Sequence, residues 1–238
     1  MTVIKRNVLI TGGLSGIGLA IAKAFDSEDV NLFLQTRNRG KHKTKVFKSR
    51  TEILEFDVRD ESSIDVVIDD LKNRQIFFDV VINSAGSNND KLFVQMSHED
   101  FFGTMDTNFS GVARVIEKFL PLINRPGSII NIASIIGLTG NVGQVDYATS
   151  KSALIEMTKY LATEYATDNI VVNAIAPGMI ETKMTDAMTG KAKAYAENLI
   201  PMKRFGKPEE VADLVIAVSK GTYLTGQTFI VDGGLYMR

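Results

Sequence analysis

The chain has 238 residues, of which 45% are hydrophobic and 23% charged, the composition of an ordinary globular protein that can bury a sizeable core. Its formal net charge of -1 gives no overall attraction to nucleic acid or to an anionic membrane. It has no cysteine, which excludes disulfides, thiolate catalysis and cysteine-bound metal, and its two histidines, His42 and His98, lie in different predicted elements, so neither a histidine-based metal site nor a Ser-His-Asp triad is expected.

No segment of the sequence indicates a membrane protein, a secreted protein or a second domain. No apolar run approaches the ~20 residues that a bilayer span needs. The stretch before the first strand, residues 1–6, is too short for the apolar region of a signal peptide. Because no Pro- or Gly-rich linker interrupts the chain, we expect residues 1–238 to form a single domain. The absence of cysteine fits a reducing compartment, and we expect a cytoplasmic protein.

The first predicted element is a short buried strand over 7–11, which runs into a glycine-rich turn. That turn, residues 12–18, has the sequence Gly-Gly-Leu-Ser-Gly-Ile-Gly, and a helix follows it to about Phe25. Glycines permit such a tight turn and let the backbone approach a pyrophosphate at the helix N-terminus. The spacing differs from the usual Gly-x-Gly-x-x-Gly, so a plain strand-to-helix turn is an equally good interpretation of this stretch taken alone.

The second predicted strand, residues 31–36, ends where a dinucleotide-binding fold meets the adenosine ribose. An acid there would bind the 2′-hydroxyl of NAD, but this chain has Arg37, which could hold a 2′-phosphate instead. More basic residues follow, and for these we favour a solvated loop: Arg39, Lys41, Lys43, Lys45 and Lys48.

Strands and helices continue to alternate toward the C-terminus. Further strands are predicted over 52–56, 78–83, 128–133, 170–174 and 228–231, and further helices over 61–72, 97–120, 146–167 and 208–219. This alternation is typical of a parallel, doubly wound α/β sheet, whose ligands bind beyond the carboxyl ends of the strands. Asn108 is unusual because it lies inside a predicted helix, where asparagine is a poor helix former.

The segment over 179–205 is predicted to be a mobile lid that contains a weakly amphipathic stretch over 191–199. Its methionines could line an apolar substrate path, although filling of gaps in the packing is the favoured interpretation. These methionines are Met179, Met184, Met188 and Met202.

Tyr147 and Lys151 are four residues apart in a stretch with helical periodicity, which places the phenol and the ammonium on one helix face. A phenol titrates near pH ~10, and a neighbouring cation lowers that pKa toward a useful general acid or base. Taken alone, the pair would be interpreted as two ordinary surface side chains.

Six motifs occur in order over nearly the whole chain. They are Thr11-Gly12-x-x-x-Gly16-x-Gly18, Asn83-x-Ala85-Gly86, Asn108, Ser134, Tyr147-x-x-x-Lys151 and Pro177-Gly178-x-x-x-Thr182. In this joint pattern the chain resembles the short-chain dehydrogenase/reductase family. The resemblance implies a Rossmann-type fold with a seven-stranded parallel sheet and helices on both faces.

Three further stretches look like those of the members of this family that reduce 3-oxoacyl groups on acyl carrier protein in fatty acid synthesis: residues 140–148, 180–185 and 232–237. This similarity implies NADPH as the cofactor, an acyl carrier protein as the partner and, usually, a homotetramer. The apolar tail, residues 233–238, is accordingly expected to be buried at a subunit interface.

The resemblance also implies roles for individual residues. Tyr147 would give its proton to the carbonyl oxygen of the substrate, and Ser134 would hydrogen-bond the same oxygen, where charge develops. Lys151 would lower the pKa of Tyr147 and bind the ribose, and Asn108 would hold a water that relays protons. Besides Tyr147 and Lys151, the residues implied at the cofactor are Thr11, Gly12, Gly13, Leu14, Ser15, Gly16, Ile17, Gly18, Arg37, Asp57, Val58, Asn83, Ala85, Gly86, Pro177, Gly178, Ile180 and Thr182.

The chain departs from the family pattern in three places. Ser84 replaces an asparagine, and Leu14 and Ser15 stand where an arginine often supplies a second 2′-phosphate ligand. Arg125 matches a basic position associated with carrier docking, and we expect it beside the mouth of the active site. A second basic position of this kind is occupied by Asp168.

Two other functions fit the same sequence. One is a sibling reductase that acts on acyl-CoA, on a polyketide-type chain or on a small ketone. The other is a cofactor-binding scaffold or sensor without catalysis, which the presence of all four implied catalytic residues disfavours.

Overall fold

The computed structural model describes residues 5–27, 29–41, 47–182, 185 and 188–237, and within them it contains a seven-stranded parallel sheet with the strand order β3-β2-β1-β4-β5-β6-β7. The strands are β1 Arg6–Thr11, β2 Val30–Thr36, β3 Arg50–Glu55, β4 Phe78–Asn83, β5 Ile123–Ile132, β6 Ile170–Pro177 and β7 Thr228–Val231. The predicted doubly wound sheet is therefore confirmed. Several residues named above lie outside the described residues: those of segment 1–4, His42, Lys43, Lys45, Met184 and Arg238.

Helices connect the strands. They are α1 Gly16–Ala24, α2 Glu61–Asn73, α3 His98–Met105, α4 Gly111–Phe119, α5 Ile136–Thr139, α6 Val145–Tyr165, α7 Gly190–Leu199 and α8 Pro208–Val218. In the part of the chain that the structure describes, no helix is both long enough and apolar enough to cross a membrane.

Each face of the sheet carries its own hydrophobic core, because side chains of a strand point alternately to opposite faces. Leu9 of β1 packs into the core beneath α2, α4 and α6, whereas its neighbours Val8 and Ile10 pack into the core beneath α1 and α8. Strands β1, β2, β4 and β6 are buried on both faces, which is why their sequences are almost continuously apolar, whereas the edge strands β3 and β7 are mostly part-exposed.

The predicted helix over 97–120 differs most from the structure. It is divided into α3 and α4 by a π-helical turn over Asp106–Ser110, and Asn108 lies inside that turn. Such a turn inserts one residue into the helical ladder and often marks a functional position. The fifth strand also begins earlier than predicted, at Ile123, so Pro126 and Gly127 lie within it.

The segment predicted as a lid has a small core of its own around α7. Its buried members are Ala196, Ile200 and Phe205, with Met179, Met188 and Leu235 packed against them. Two of the lid methionines therefore fill packing space, as the sequence favoured. Leu235 belongs to the C-terminal tail, which thus packs against the lid segment of its own chain.

Asp232 holds the tail in place. Its carboxylate accepts the main-chain N–H of Gly234 over 2.9 Å and that of Tyr236 over 2.6 Å. Met237 remains 77% exposed. Burial of the tail at a subunit interface stays a prediction.

Phe78 and its neighbour Phe77 test how much the buried core contributes to stability. Phe78 is fully buried, with its ring centroid 5.1 Å from that of Phe33 and 5.7 Å from that of Phe119, whereas Phe77 is 44% exposed. Phe78→Ala should lower the free energy of unfolding by about 3–5 kcal/mol, since it leaves a cavity. Phe77→Ala should cost about 1 kcal/mol or less. Urea unfolding measures both, and equal losses would contradict the packing described.

Candidate active site

Tyr147 and Lys151 occupy the first two turns of α6. The ammonium nitrogen of Lys151 lies 5.8 Å from the centroid of the Tyr147 ring, so the two groups meet as their spacing predicted. Because α6 follows β5, its first turn lies at the carboxyl edge of the sheet. Lys151 is only 5% exposed, which excludes an ordinary surface pair.

Lys151 is a buried ammonium whose hydrogen-bond acceptor is a main-chain carbonyl. Its Nζ donates to the carbonyl oxygen of Ile132, the last residue of β5, over 2.7 Å. Burial disfavours the charged form and lowers the pKa of Lys151 from 10.5 to about 8. The side chain is therefore still mostly charged at pH 7.

The phenol of Tyr147 has a pKa above its ordinary value of 10.0, because burial disfavours the phenolate. A hydrogen bond with Ser134 acts in the opposite direction, and the nearby carboxylate of Asp90 raises the pKa further. Desolvation therefore sets the direction of the shift in this structure, and the lowering implied for Lys151 stays a prediction. A phenol that keeps its proton at neutral pH can donate it to a developing oxyanion.

Ser134 follows the carboxyl end of β5, and a tight turn fixes its hydroxyl. Its Oγ accepts the main-chain N–H of Ile136 over 3.1 Å, which leaves the hydroxyl hydrogen available. The next helix, α5, packs closely on α6: a Cβ added to Gly137 would lie 2.7 Å from the main-chain carbonyl carbon of Lys151. This close packing brings Ser134 to the phenol of Tyr147.

Asn108 is fully buried and links three elements. Its Oδ1 accepts the main-chain N–H of Ser87 over 2.8 Å, and its Nδ2 donates to the carbonyl of Ser87 over 2.8 Å and to Oγ of Ser150 over 3.2 Å. A Cβ added to Gly86 would lie 3.3 Å from Oδ1 of Asn108 and 3.8 Å from Nζ of Lys151. The π-helical turn therefore brings Asn108 to the loop after β4 and to the lysine.

The glycine-rich turn has the geometry of a phosphate cradle. Gly12 and Gly16 have positive φ angles of 64° and 50°, and a Cβ on Gly18 would lie 2.4 Å from the carbonyl oxygen of Gly12. Ser15, which precedes α1, makes no side-chain cap, so the first N–H groups of that helix have no capping side chain. These features fit the pyrophosphate of a dinucleotide. Gly13, Leu14 and Ile17 lie in the same turn or in the first turn of α1.

Thr11 joins the glycine-rich turn to the loop after β4. Its hydroxyl oxygen accepts the main-chain N–H groups of Ser84 and Ala85, each over 3.0 Å. Gln35, which sequence analysis did not single out, accepts the N–H of Gly12 over 2.9 Å and donates to the carbonyl of Phe56. These contacts fix the turn relative to β2, β3 and β4.

Asn83 points into the fold. It is 1% exposed, and its Nδ2 donates to Oδ1 of Asn131, whose own Nδ2 donates to Thr158 on α6 over 2.9 Å. This buried chain connects β4, β5 and the helix that carries Tyr147. Asn131 and Thr158 were missed, although an asparagine within the apolar stretch of β5 is the signal that could have revealed the first of them.

Asp57 and Val58, which are expected to contact the cofactor, follow β3 directly. Both carboxylate oxygens of Asp57 accept hydrogen bonds from Arg59, the shortest of 2.7 Å from Nη2, and this pairing is the largest cause that holds the pKa of Asp57 below its ordinary value. The charge of Arg37 contributes to the same lowering. Val58 is 3% exposed and packs against Gly111 at the start of α4.

The loop after β6 lies at the same carboxyl edge of the sheet as the glycine-rich turn. Pro177 ends β6 and accepts the N–H of Ile135, and Gly178 packs so tightly on Asp232 that a Cβ would lie 2.7 Å from the aspartate Cβ. Ile180 is 5% exposed. Thr182 lies close to the glycine-rich turn, since a Cβ added to Gly16 would be 3.9 Å from Cγ2 of Thr182.

Asp90 and Gln144 join the loop after β4 to the turn before α6, and neither was singled out from the sequence. Nε2 of Gln144 donates to Oδ1 of Asp90 over 2.9 Å, and the main-chain N–H of Lys91 donates to the carbonyl of Gly143 over 2.9 Å. The loop after β4 is thereby held against the turn that precedes α6.

Within one chain, Arg125 does not lie beside the candidate active site. It lies near the start of β5, seven residues before Ile132, which at strand geometry is roughly 20 Å from the carboxyl edge. Its Nη2 contacts Oδ2 of Asp168 over 3.1 Å. The placement predicted for Arg125 is therefore wrong for a single chain, because parallel strands begin and end at opposite edges. The two expected docking positions instead neutralise each other.

Comparisons with known proteins agree with this geometry. A family model described as enoyl-(acyl carrier protein) reductase matches residues 12–236. The 3-oxoacyl-[acyl-carrier-protein] reductase FabG of Thermotoga maritima is 38% identical over 95% of this chain and 96% of that protein. The protein of the same name from Aquifex aeolicus is 37% identical over 96% of each chain.

Solved structures show the same arrangement. A short-chain dehydrogenase/reductase from Brucella melitensis, described as a glucose/ribitol dehydrogenase, covers 100% of both chains with a TM-score of 0.89 and 28% identity. A 3-oxoacyl-[acyl-carrier protein] reductase from the same species has a TM-score of 0.87 and 31% identity, covering 99% of this chain and 93% of the other.

The buried ammonium of Lys151 predicts a specific pH dependence of stability. Between the pKa of about 8 in the folded chain and 10.5 in the unfolded chain, only the unfolded state keeps the proton. Stability should therefore rise with pH across this window, by about 2–3 kcal/mol relative to Lys151→Met, which lacks the titrating group. Unfolding in urea at pH 7.5, 9 and 10.5 measures the difference.

Lys159→Met is the matched control, because Lys159 lies on the same helix but is exposed and paired with Glu156 over 2.6 Å. Its difference from the wild type should not grow with pH over the same window. A wild-type curve parallel to that of Lys151→Met would contradict the burial described.

Proposed function

The chain belongs to the short-chain dehydrogenase/reductase family, and on this premise we propose that it reduces the ketone of 3-oxoacyl-[acyl-carrier-protein] to the 3-hydroxy form with NADPH. The observation that carries the proposal is the meeting of Ser134, Tyr147 and Lys151 at the carboxyl edge of the sheet. These elements come from the end of β5 and the start of α6. Fatty acid synthesis is the process in which such a reduction belongs.

The chemistry that a bound nicotinamide supplies is a hydride, which goes to the ketone carbon. The electron pair of the carbonyl bond moves to oxygen, and Tyr147 gives that oxygen its proton. Ser134 donates a second hydrogen bond to the same atom, which stabilises the developing charge. Lys151 places its positive charge beside the phenol, so that the phenolate left after proton transfer is stabilised.

The surrounding residues hold this geometry. Asn108 fixes the loop after β4 against α6, and its two amide hydrogens are both used in doing so. The second lone pair of its Oδ1 is the position that fits the water implied by the resemblance. The glycine-rich turn would bind the pyrophosphate of the cofactor and Thr182 its nicotinamide end, and the segment over 179–205 would cover the substrate as a lid.

An acyl carrier protein as partner is supported by the names of the related proteins and not by a basic surface at the mouth. We also propose a homotetramer. Large exposed apolar side chains on α3 and α6, Phe102 at 53% and Tyr160 at 73%, support burial of these helices between subunits.

Tyr147→Phe tests the proton donor. The variant should lose at least ~100-fold in kcat, since general acid catalysis is worth about 10²–10⁴-fold, and should bind cofactor as the wild type does. Stopped-flow absorbance at 340 nm and cofactor titration measure the two quantities. Tyr223→Phe, at a position that is 99% exposed in the loop before β7, is the control and should keep full activity. Retention of more than a tenth of the wild-type kcat by Tyr147→Phe would remove the basis of the proposal.

Arg37→Glu tests the choice of NADPH. The variant should raise KM for NADPH far more than KM for NADH, because it loses a charge-assisted contact worth about 1.5–3 kcal/mol and adds repulsion. Arg39→Glu, two residues along, should change both constants little. A wild type that prefers NADH would show that the interpretation of this strand end is wrong.

The acyl carrier is tested with three substrates at equal concentration: acetoacetyl-carrier protein, acetoacetyl-CoA and crotonyl-carrier protein. We expect the first to have the highest kcat/KM and the last, an enoyl thioester, not to be reduced. Equal turnover of the first two would favour the sibling reductase, and reduction of the enoyl substrate alone would favour the reaction that names the family model. Absence of turnover with every ketone would favour a sensor or scaffold.

A further inference from the structure

Asp57 is an acid at the end of the site that is expected to hold the adenosine, and its carboxylate forms an ion pair with Arg59. Its two carboxylate oxygens accept three hydrogen bonds of 3.1, 3.2 and 2.7 Å from the guanidinium of Arg59. The main-chain N–H of Arg59 adds a fourth contact of 3.0 Å to Oδ1. The side chains of Asp57 and Arg59 are 25% and 43% exposed, so the pair reaches solvent and is not part of the core.

The same corner contains the arginine proposed to bind a 2′-phosphate. Strands β2 and β3 are neighbours, and the N–H of Phe56 donates to the carbonyl of Thr36 over 3.1 Å. Arg37 and Asp57 follow these two residues directly, and the charge of Arg37 acts on the Asp57 carboxylate. Arg37 is exposed and forms no ion pair with any residue that the structure describes.

The next acid on this side also has its own cation. Asp106, which acts electrostatically on Arg59, accepts a hydrogen bond from Nη1 of Arg114 over 2.8 Å. The corner therefore contains three guanidinium groups and two carboxylates, each carboxylate with an arginine of its own. An uncovered carboxylate near the ribose would repel a 2′-phosphate and favour a 2′-hydroxyl.

We infer that Arg59 determines cofactor specificity: by pairing with both oxygens of Asp57, it removes the repulsion that this acid would exert on a 2′-phosphate. This inference rests on the proposed use of NADPH and adds to it a residue that does not contact the phosphate. Arg59 thus compensates for the arginine that the glycine-rich turn lacks at Leu14 and Ser15.

The test measures binding to the protein without turnover. Isothermal titration calorimetry gives Kd for adenosine 2′,5′-bisphosphate and for 5′-AMP, and the ratio of the two reports on the 2′-phosphate alone. In Arg59→Gln the preference for the bisphosphate should fall about fivefold to tenfold, the effect of one uncovered charge several ångströms away. Affinity for 5′-AMP should change less than about twofold, because its phosphate binds at the glycine-rich turn.

A second substitution distinguishes neutralisation from direct contact. Adding Asp57→Asn to Arg59→Gln removes the uncovered charge, so the wild-type preference should return. If the double variant stays as weak as Arg59→Gln, the inference is overturned, because Arg59 then binds the phosphate itself. An unchanged preference in Arg59→Gln also overturns it.

Arg74→Gln is the matched control. Arg74 also pairs with a carboxylate, Glu52, over 2.6 Å, but it follows α2 at the amino edge of the sheet, and its loss should leave both Kd values unchanged. Failure of the proposed function would look different, since the wild type would then bind neither nucleotide or prefer 5′-AMP.

Discussion

A buried ammonium held by a main-chain carbonyl is the constraint on which the site depends. Burial of an unpaired charge is costly, so Lys151 is kept in the interior by the hydrogen bond that its ammonium donates to a main-chain carbonyl. Its contact with Ile132 sets how close α6 approaches the end of β5. The parallel order of β1, β4 and β5 then brings the glycine-rich turn, the loop of Gly86 and the turn of Ser134 to one edge.

One effect, burial, shifts the pKa of both members of the candidate catalytic pair, Tyr147 and Lys151. Burial lowers the pKa of the ammonium and raises that of the phenol, so both shifts favour the neutral forms. The phenol consequently carries its proton at neutral pH, which suits reduction of a ketone, where a proton must be given. In the reverse reaction, the oxidation of an alcohol, the same raised pKa requires a higher pH for the phenolate to form.

Local patterns predicted the parts of the structure that depend on neighbouring residues. The strands, the glycine-rich turn and the shared face of Tyr147 and Lys151 follow from periodicity and from the conformational freedom of glycine. The π-helical turn at Asn108 could not be predicted, because it depends on contacts with Ser87 and Ser150 in other elements. The pairing of Arg125 with Asp168 joins residues 43 positions apart and was missed for the same reason.

Electrostatic predictions from the sequence were less successful. The pKa of Tyr147 was expected to fall because only its neighbour on the helix was visible, whereas burial and Asp90 come from the fold. Arg59 was overlooked although it stands two residues after Asp57, because the sequence does not show which way an exposed side chain turns.

The most direct test of the central claim, that this edge of the sheet directs a hydride from the cofactor to a ketone, is an isotope experiment. The protein is incubated with acetoacetyl-carrier protein and NADPH that carries deuterium at the transferable position. Mass spectrometry of the product should show a 3-hydroxybutyryl group with one deuterium, bonded to C3. A product without deuterium, or unreacted ketone, would contradict the account.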